Sequence, residues 1–246
     1  MPLRPSQAGR IAGAMLAAAS ESLLDLLYPP ACWACGSPIP RQADGLCADC
    51  PLVPLGEACG RCAEPQGPHA GGPDCPLCRG RSLSFRHVAA AGRYEAGLKD
   101  AVRRAKFGGE SGAWDWMGSL LSGAVTAQAW AGGIREVVPV PSSRSSRWKR
   151  GFNPAELLAG PVARRLGVPV RGRLRRRGAF VPQVGLGREA RLSNVRNAFE
   201  AVPGTKTEGA VLLVDDVMTT GATVDACAAA LLSAGAASVD VAVLAR

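Results

Sequence analysis

The segment from Val211 to Leu232 constrains the fold more than any other part of the chain. Val211, Leu212, Leu213 and Val214 make an unbroken apolar run. That is the pattern of a strand covered on both faces, and such strands belong to parallel sheets lying between layers of helix. Asp215 and Asp216 follow at the carboxyl end of the run. A turn of small and hydroxylated residues, Thr219, Thr220, Gly221, Ala222 and Thr223, then leads into an Ala/Leu-rich helix that ends near Gly235. A strand, a turn and a helix in this order leave the N–H groups of the first helical turn pointing outwards, where they favour an anion, typically a phosphate. The Thr hydroxyls add donors. The two carboxylates, one step earlier, are placed to accept hydrogen bonds from the two hydroxyls of a ribose. One segment can therefore hold a sugar and its 5′-phosphate. The competing reading is a βα turn whose acids are solvated and whose threonines only cap the helix.

Cysteine spacing is the second strong constraint. Eight of the nine cysteines fall in four Cys-x-x-Cys pairs, Cys32/Cys35, Cys47/Cys50, Cys59/Cys62 and Cys75/Cys78, separated by 11, 8 and 12 residues. Pro, Gly and charged residues fill the intervals, so the segment has little with which to build a core and needs a staple. Paired Cys-x-x-Cys turns supply the four thiolates of a tetrahedral zinc site. Disulfides would require an oxidising compartment, and a thioredoxin-like redox motif needs one pair in a βα setting rather than four in succession. Residues 1–80 already hold seven acids against five Lys/Arg, so eight crowded thiolates would repel one another without cations. Spacing alone leaves open whether one or two ions bind, and which pairs share an ion. His69 reads as a solvated loop residue, with a substitute-ligand role as the alternative. Cys227, on the helix after the Thr-rich turn, reads as a packing residue.

The remaining chain reads as alternating strand and helix. A strand is predicted over 87–94, a helix over 95–107 stopped by Gly108 and Gly109, and a helix over 111–130 with Trp114, Met117, Leu120, Leu121 and Ala124 as its buried stripe. A buried strand at 136–140 runs into a basic loop at 141–151. Asn153 then caps a helix that has Pro154 at its first position. A short basic strand is expected at 170–177, a lid-like loop over 178–191 carrying Gln183, Arg188 and Arg191, and a closing strand at 238–244. Residues 144–191 carry 13 Lys/Arg against two acids, while the whole chain is only +9. A surplus so concentrated points to a polyanionic ligand, whereas Arg175, Arg176 and Arg177 alone would read as a solvated face. Ser142, Ser143, Arg144, Arg147, Lys149 and Arg150 are candidates to hold a diphosphate, since this loop and the Asp215 loop both leave carboxyl ends of strands. Residues 1–28 have the arginines and short apolar run of a faint signal peptide. They read better as an amphipathic helix that docks on the protein and stops at Tyr28, Pro29 and Pro30. No run is long enough to span a membrane.

Asp215, Asp216 and the Thr219–Thr223 turn resemble the phosphoribosyl-pyrophosphate (PRPP) signature of type I phosphoribosyltransferases. The order of parts over nearly the whole chain resembles the ComF (GntX-like) family. The likeness rests on Leu27-Tyr28-Pro29-Pro30 before Cys32, the four cysteine pairs, Pro139-Val140-Pro141, Arg150-Gly151-Phe152-Asn153, Ala155-Glu156-Leu157-Leu158, Gln183, Leu186, Arg191, Asn194, Ala198-Phe199 and Val211–Thr223. Ser142, Pro154 and Phe180 stand where that family often has Leu, Gln and Thr. The resemblance implies a type I phosphoribosyltransferase-like parallel sheet flanked by helices, with a small cysteine-rich zinc module before it. The expected division is 1–28 amphipathic helix, 29–82 zinc module and 83–246 transferase-like domain. It implies PRPP bound by Asp215, Asp216, Met218, Thr219, Thr220, Gly221, Ala222 and Thr223, with Arg188 and Arg191 joining the diphosphate candidates. The implied cofactors are structural zinc, as one or two ions, and magnesium carried with PRPP. The implied activity is phosphoribosyl transfer in a cytoplasmic protein linked to competence and DNA uptake. A single-stranded DNA-binding factor partnered with the uptake machinery, or a PRPP sensor without turnover, is the alternative.

Overall fold

The computed structural model describes residues 29–40, 42–66, 75–109, 112–177 and 198–246. The N-terminal helix expected over 1–28, His69, and the lid expected over 178–191 with Gln183, Arg188 and Arg191 lie outside these residues.

Six strands and five helices are described: β1 Val88–Gly92, α1 Ala96–Phe107, α2 Gly112–Thr126, β2 Ile134–Pro139, α3 Arg144–Arg150, α4 Pro154–Leu166, β3 Leu174–Arg176, β4 Phe199–Ala201, β5 Ala210–Val217, α5 Ala222–Ser233 and β6 Ser238–Ala245. The main sheet is four-stranded and entirely parallel, in the order β1-β6-β5-β2. β3 and β4 form a separate antiparallel pair. The apolar run at 211–214 lies in a central strand, buried on both faces, and its side chains divide by the two-residue period of a strand. Leu212 and Val214 face a core shared with α1, α2 and α4. Val211 and Leu213 face a core shared with α5, Phe199 and the cysteines of the second cluster. The α/β architecture expected from the sequence is therefore present.

The strand expected over 170–177 is described only as Leu174–Arg176, and two helical segments also differ from expectation. The helix expected over 111–130 is described as α2 over Gly112–Thr126, followed by a 3-10 turn at Ala131–Gly133. Its buried stripe is Trp114, Met117, Leu121 and Val125, while Leu120 and Ala124 are only partly covered. The expected basic loop 141–151 is half helix. Ser143 accepts a hydrogen bond from the Ser146 N–H at its start, and Gly151 takes the left-handed conformation (φ 79°) at its end. A cap and a glycine stop bracket residues that are mostly sound helix formers, and that is sufficient for two turns.

The outer edge of β2 is met by the chain after α4. Val137 N–H donates to the Pro169 carbonyl (2.9 Å), and Arg171 N–H donates to the Val137 carbonyl (2.8 Å).

The cysteine-rich segment packs directly on the sheet-and-helix body. Trp116 of α2 donates its indole N–H to the Asp44 carbonyl (3.0 Å). Trp33 lies against Gly112, and Cys50 lies against Gly97 of α1 so closely that any Cβ at 97 would fall 2.2 Å from the Cys50 carbonyl oxygen. Further along, the Ser84 N–H donates to Asp225 of α5 (2.7 Å).

Candidate functional site

β2 and β5 are neighbours in a parallel sheet, so the segments that follow them leave the same edge side by side. Pro139 is in register with Val214, and the Val140 N–H donates to the Val214 carbonyl (2.9 Å). β5 continues in register with β6 through Val217, so Asp215 and Asp216 belong to the strand itself, beyond the end expected at Val214. Between the two segments is a cavity of about 200 Å³. Its wall includes Ser142, Ser143 and Ser146 from one side and Asp215, Asp216 and Thr223 from the other.

Each wall is fixed by local chemistry. Asn153 is buried; its Oδ1 accepts from the Ala155 N–H (3.3 Å) and caps α4, while its Nδ2 donates to the Val140 carbonyl (3.0 Å). One side chain thus ties the end of β2 to the start of α4. Ser143 Oγ caps α3 and donates to Ser146 Oγ (2.7 Å). Ser142 Oγ is buried and has no hydrogen-bond partner among the described residues. A buried hydroxyl without a partner costs stability, so one lining a cavity is poised for a polar ligand. On the opposite wall, Asp215 Oδ1 accepts from the Asp216 N–H (2.9 Å). Desolvation, then the adjacent negative charge of Asp216, raises the Asp215 pKa well above the usual carboxylate range, with Lys106 partly offsetting them. Gly221, with φ 76°, stands at the N-cap of α5 and turns the chain from the strand into the helix. The Ala222 N–H meets Thr220 Oγ1 at 3.4 Å.

Three cations join these walls: Lys106, Arg150 and Arg176. Lys106, in the last turn of α1, pairs with Asp216. Arg176 sits over the Phe199 ring, 5.0 Å from its centroid. Sequence reading assigned neither Lys106 nor Arg176 to the site. For Arg176 the signal was strand alternation: Arg175 and Arg177 both pair with Glu200 (2.8 and 2.6 Å) on one side, which turns Arg176 to the other. For Lys106 nothing local distinguished it from the other basic residues of its helix. Of the diphosphate candidates, Ser142, Ser143 and Arg150 line the cavity, whereas Arg144, Arg147 and Lys149 are exposed on α3. Arg147 is engaged with Glu156 (3.0 Å). Arg188 and Arg191 lie outside the described residues. From the Thr-rich turn, Thr223 lines the cavity, Ala222 is half-buried, Thr219 and Thr220 are exposed, and Met218 is buried beneath. The basic surplus is partly internal: Arg173 grips the buried Glu136 through two nitrogens (2.8 to 3.2 Å).

The cysteines gather into two clusters built from consecutive pairs, Cys32/Cys35/Cys47/Cys50 and Cys59/Cys62/Cys75/Cys78. In each, all four sulfurs lie within 4.8 Å of one another. Separations of 3.7 Å (Cys35–Cys47), 3.9 Å (Cys59–Cys78) and 3.6 Å (Cys62–Cys75) are much longer than a disulfide. They match the edge of about 3.8 Å that a tetrahedron has when its sulfurs are about 2.3 Å from a central zinc. The first knuckles of the two clusters share one backbone pattern. An Ala31–Pro38 bridge recurs 27 residues later as Ala58–Pro65. The bonds from Cys32 N to Ser37 O and from Gly36 N to Cys32 O recur as Cys59 N to Glu64 O and Ala63 N to Cys59 O. The thiols of the first cluster differ in acidity. Hydrogen bonding to Ser37 pushes the Cys35 thiol down to about 6, while desolvation, then the neighbouring thiols, pushes Cys50 up to about 12. Crowded thiolates repel one another, and a bound divalent cation would relieve that repulsion. The grouping of the pairs, open in the sequence, is given by this geometry: the first two pairs come together, and so do the last two.

Residues 154–246 match the phosphoribosyl transferase domain family. Over 230 residues the chain is 31% identical to the DNA utilization protein YhgH of Salmonella typhi, covering 90% of this chain and 99% of that protein. The chain belongs to the ComF family. Other ComF-type relatives are competence protein F of Haemophilus influenzae, 28% identical with 87% of this chain and 96% of the relative covered, and competence protein ComFC of Bacillus subtilis, 30% identical with 74% and 75% covered. No helix among the described residues is long and apolar enough to cross a membrane.

Proposed function

We propose that the cavity between β2 and β5 binds PRPP with magnesium, and that this ComF-type protein transfers its phosphoribosyl group to an acceptor. The observation that carries the reading is the composition of one small cavity: an acidic pair at a strand end, an unpartnered buried Ser142 hydroxyl and three cations. Asp215 and Asp216 would accept from the ribose hydroxyls. The Gly221 turn and Thr223 would donate to the 5′-phosphate. Ser142, Ser143 and Arg150 would face the diphosphate, with Arg188 and Arg191 joining from the segment after β3. Charge development on the departing pyrophosphate is the difficult part of such a transfer, and Lys106, Arg150 and Arg176 are fixed cations suited to stabilise it without reorganising. Magnesium, when bound with PRPP, would supply further charge on the diphosphate oxygens. The carboxylates orient the sugar and are not assigned a proton-transfer role. The two thiol clusters would hold one structural zinc each, which fits a reducing, cytoplasmic setting.

Calorimetric titration with PRPP at millimolar magnesium tests the reading. Saturable heat, lost in Asp215→Asn and accompanied by pyrophosphate release when an acceptor is supplied, is the expected result. Absence of heat in the metal-loaded wild-type chain would refute it. A second role is supported by α3, where Trp148 is 87% exposed among Arg144, Arg147 and Lys149. A solvent-facing indole between cations suits stacking with single-stranded DNA, in keeping with relatives named for competence and DNA utilization. Salt-dependent DNA binding that falls in Trp148→Ala is its signature.

A further inference from the structure

Arg246 has a side chain only 5% exposed, and each of its nitrogens is used. Nε donates to the Cys62 carbonyl (2.9 Å), Nη2 pairs with Glu64 (2.6 Å), and Nη1 donates to the carbonyls of Met218 (3.1 Å) and Thr219. Arg81 repeats the arrangement from the other side. Its Nη1 donates to the Leu77 carbonyl (3.3 Å) and to the Thr220 carbonyl (3.1 Å). Cys62 closes one Cys-x-x-Cys turn of the second cluster, and Leu77 lies inside the other. Three successive carbonyls of the Thr-rich turn, 218 to 220, are thus tied by two guanidiniums to the two knuckles of one thiol cluster. In a trans peptide the N–H points opposite its C=O. Holding these carbonyls toward the cysteines therefore turns the N–H groups of 219 to 221 away from them, as an anion-binding turn requires.

We propose that Arg246 and Arg81 are positioning residues that couple metal occupancy of the Cys59/Cys62/Cys75/Cys78 cluster to the geometry of the phosphate-binding turn. The functional half of this proposal rests on the PRPP reading above; the structural half does not. With a metal ion bound, the knuckles are fixed and their carbonyls hold the guanidiniums in place. Without it, the knuckles relax, and the turn loses the partners that orient it. Coupling of this kind is reciprocal, so a ligand on the turn must also tighten metal binding by the second cluster.

The test uses the full chain loaded with zinc. Amide hydrogen exchange is followed in peptides covering 217–224, with β6 as an internal reference for global stability. Variants are Arg246→Ala, Arg246→Lys and Arg81→Ala, with Arg61→Ala as control. Arg61 projects from the same knuckle as Cys62 but donates to the Leu83 carbonyl (3.3 Å) rather than to the turn. Exchange in 217–224 should rise about tenfold or more in Arg246→Ala, the scale of one lost charge-assisted bond, with β6 unchanged. Arg246→Lys should recover part of the protection, and Arg61→Ala should leave it intact. Chelating the zinc from wild type should reproduce the Arg246→Ala exchange pattern in the turn. At equilibrium with a competing colorimetric chelator, PRPP with magnesium should raise the zinc retained by wild type and not that retained by Arg246→Ala. Unchanged turn exchange in Arg246→Ala, or an equal rise in Arg61→Ala, overturns the clamp. If PRPP gives no heat with wild type while the exchange results hold, the PRPP reading fails and the clamp stands.

Discussion

Gly97, the second residue of α1, offers a quantitative test of whether the cysteine-rich segment is seated on the body or merely tethered to it. A Cβ there would lie 2.2 Å from the Cys50 carbonyl oxygen, 2.8 Å from its carbon and 3.1 Å from Leu46 Cδ1. Ordinary contact begins near 3.4 Å, so the first cluster and the start of α1 must separate by about 1.2 Å to admit a methyl group. The obstacle is the backbone of Cys50, a member of the first cluster, which cannot rotate aside. Overpacking of this kind costs about 1–3 kcal/mol, and replacing a helical glycine returns about 0.5–1 kcal/mol, leaving a net loss of up to about 2.5 kcal/mol. For a chain of this size that is a fall in Tm of up to about 10 °C. Gly123, inside α2, is the matched control: it is exposed, and an added Cβ would meet nothing within 4 Å. Gly123→Ala should therefore raise Tm by about 1–4 °C. Thermal unfolding of the metal-loaded proteins, with metal release from the first cluster as a second readout, decides the matter. If Gly97→Ala were stabilised as much as Gly123→Ala, with metal release unchanged, the seating of the cluster on α1 would be wrong.

Other outcomes follow from the same geometry. X-ray absorption on protein grown with zinc should give two equivalents per chain, each with four sulfur neighbours at about 2.3 Å; a single equivalent, or nitrogen and oxygen in the first coordination sphere, would contradict two all-cysteine sites. Asp215 has a pKa raised on folding, so its contribution to stability is full below the unfolded value of about 3.9 and is lost as pH rises through the folded value. Asp215→Asn should accordingly stabilise the free protein near neutral pH, with the gain vanishing below about pH 4, while PRPP affinity in wild type should rise with pH and be accompanied by proton release; equal melting curves for the two proteins at neutral pH would refute the burial argument. Ala63 has φ 54°, at the position where the first knuckle has Gly36 with φ 82°. Ala63→Gly should therefore stabilise the metal-loaded protein by about 0.5–1 kcal/mol in denaturant titration, and a loss would mean that the buried methyl outweighs the backbone strain.

The parallel sheet was legible because its strands are short apolar runs with nothing else to do but pack. Val211–Val214 carries that pattern without interruption, and the closing strand carries it from Val239 onwards with Asp240 as the one break. α3 was not legible: a seven-residue helix of arginine, serine and lysine has no apolar period, and its only markers are the cap and the glycine at its ends. The acidic pair and the Thr-rich turn were visible as a motif. The cations completing the cavity were not, because their selection depends on which way a strand and a helix face after packing. Arg176 is turned inwards only because Glu200 occupies Arg175 and Arg177, and that pairing is with a strand more than twenty residues away in sequence. Metal-site composition was hidden for a similar reason. Four Cys-x-x-Cys pairs in a row permit several groupings, and the repeat of Ala31-Cys32 to Pro38 as Ala58-Cys59 to Pro65, with Ala63 replacing Gly36, does not by itself say which pairs come together.

The edge position of β2 restricts how such molecules can associate. Pro139 has no N–H to offer, and both backbone groups of Val137 are already satisfied by the chain passing at 169–171. A second molecule cannot lengthen the sheet across that border by adding its own strand. Association across this border has to be made by side chains, and strand addition is left to the opposite edge of the sheet, at β1.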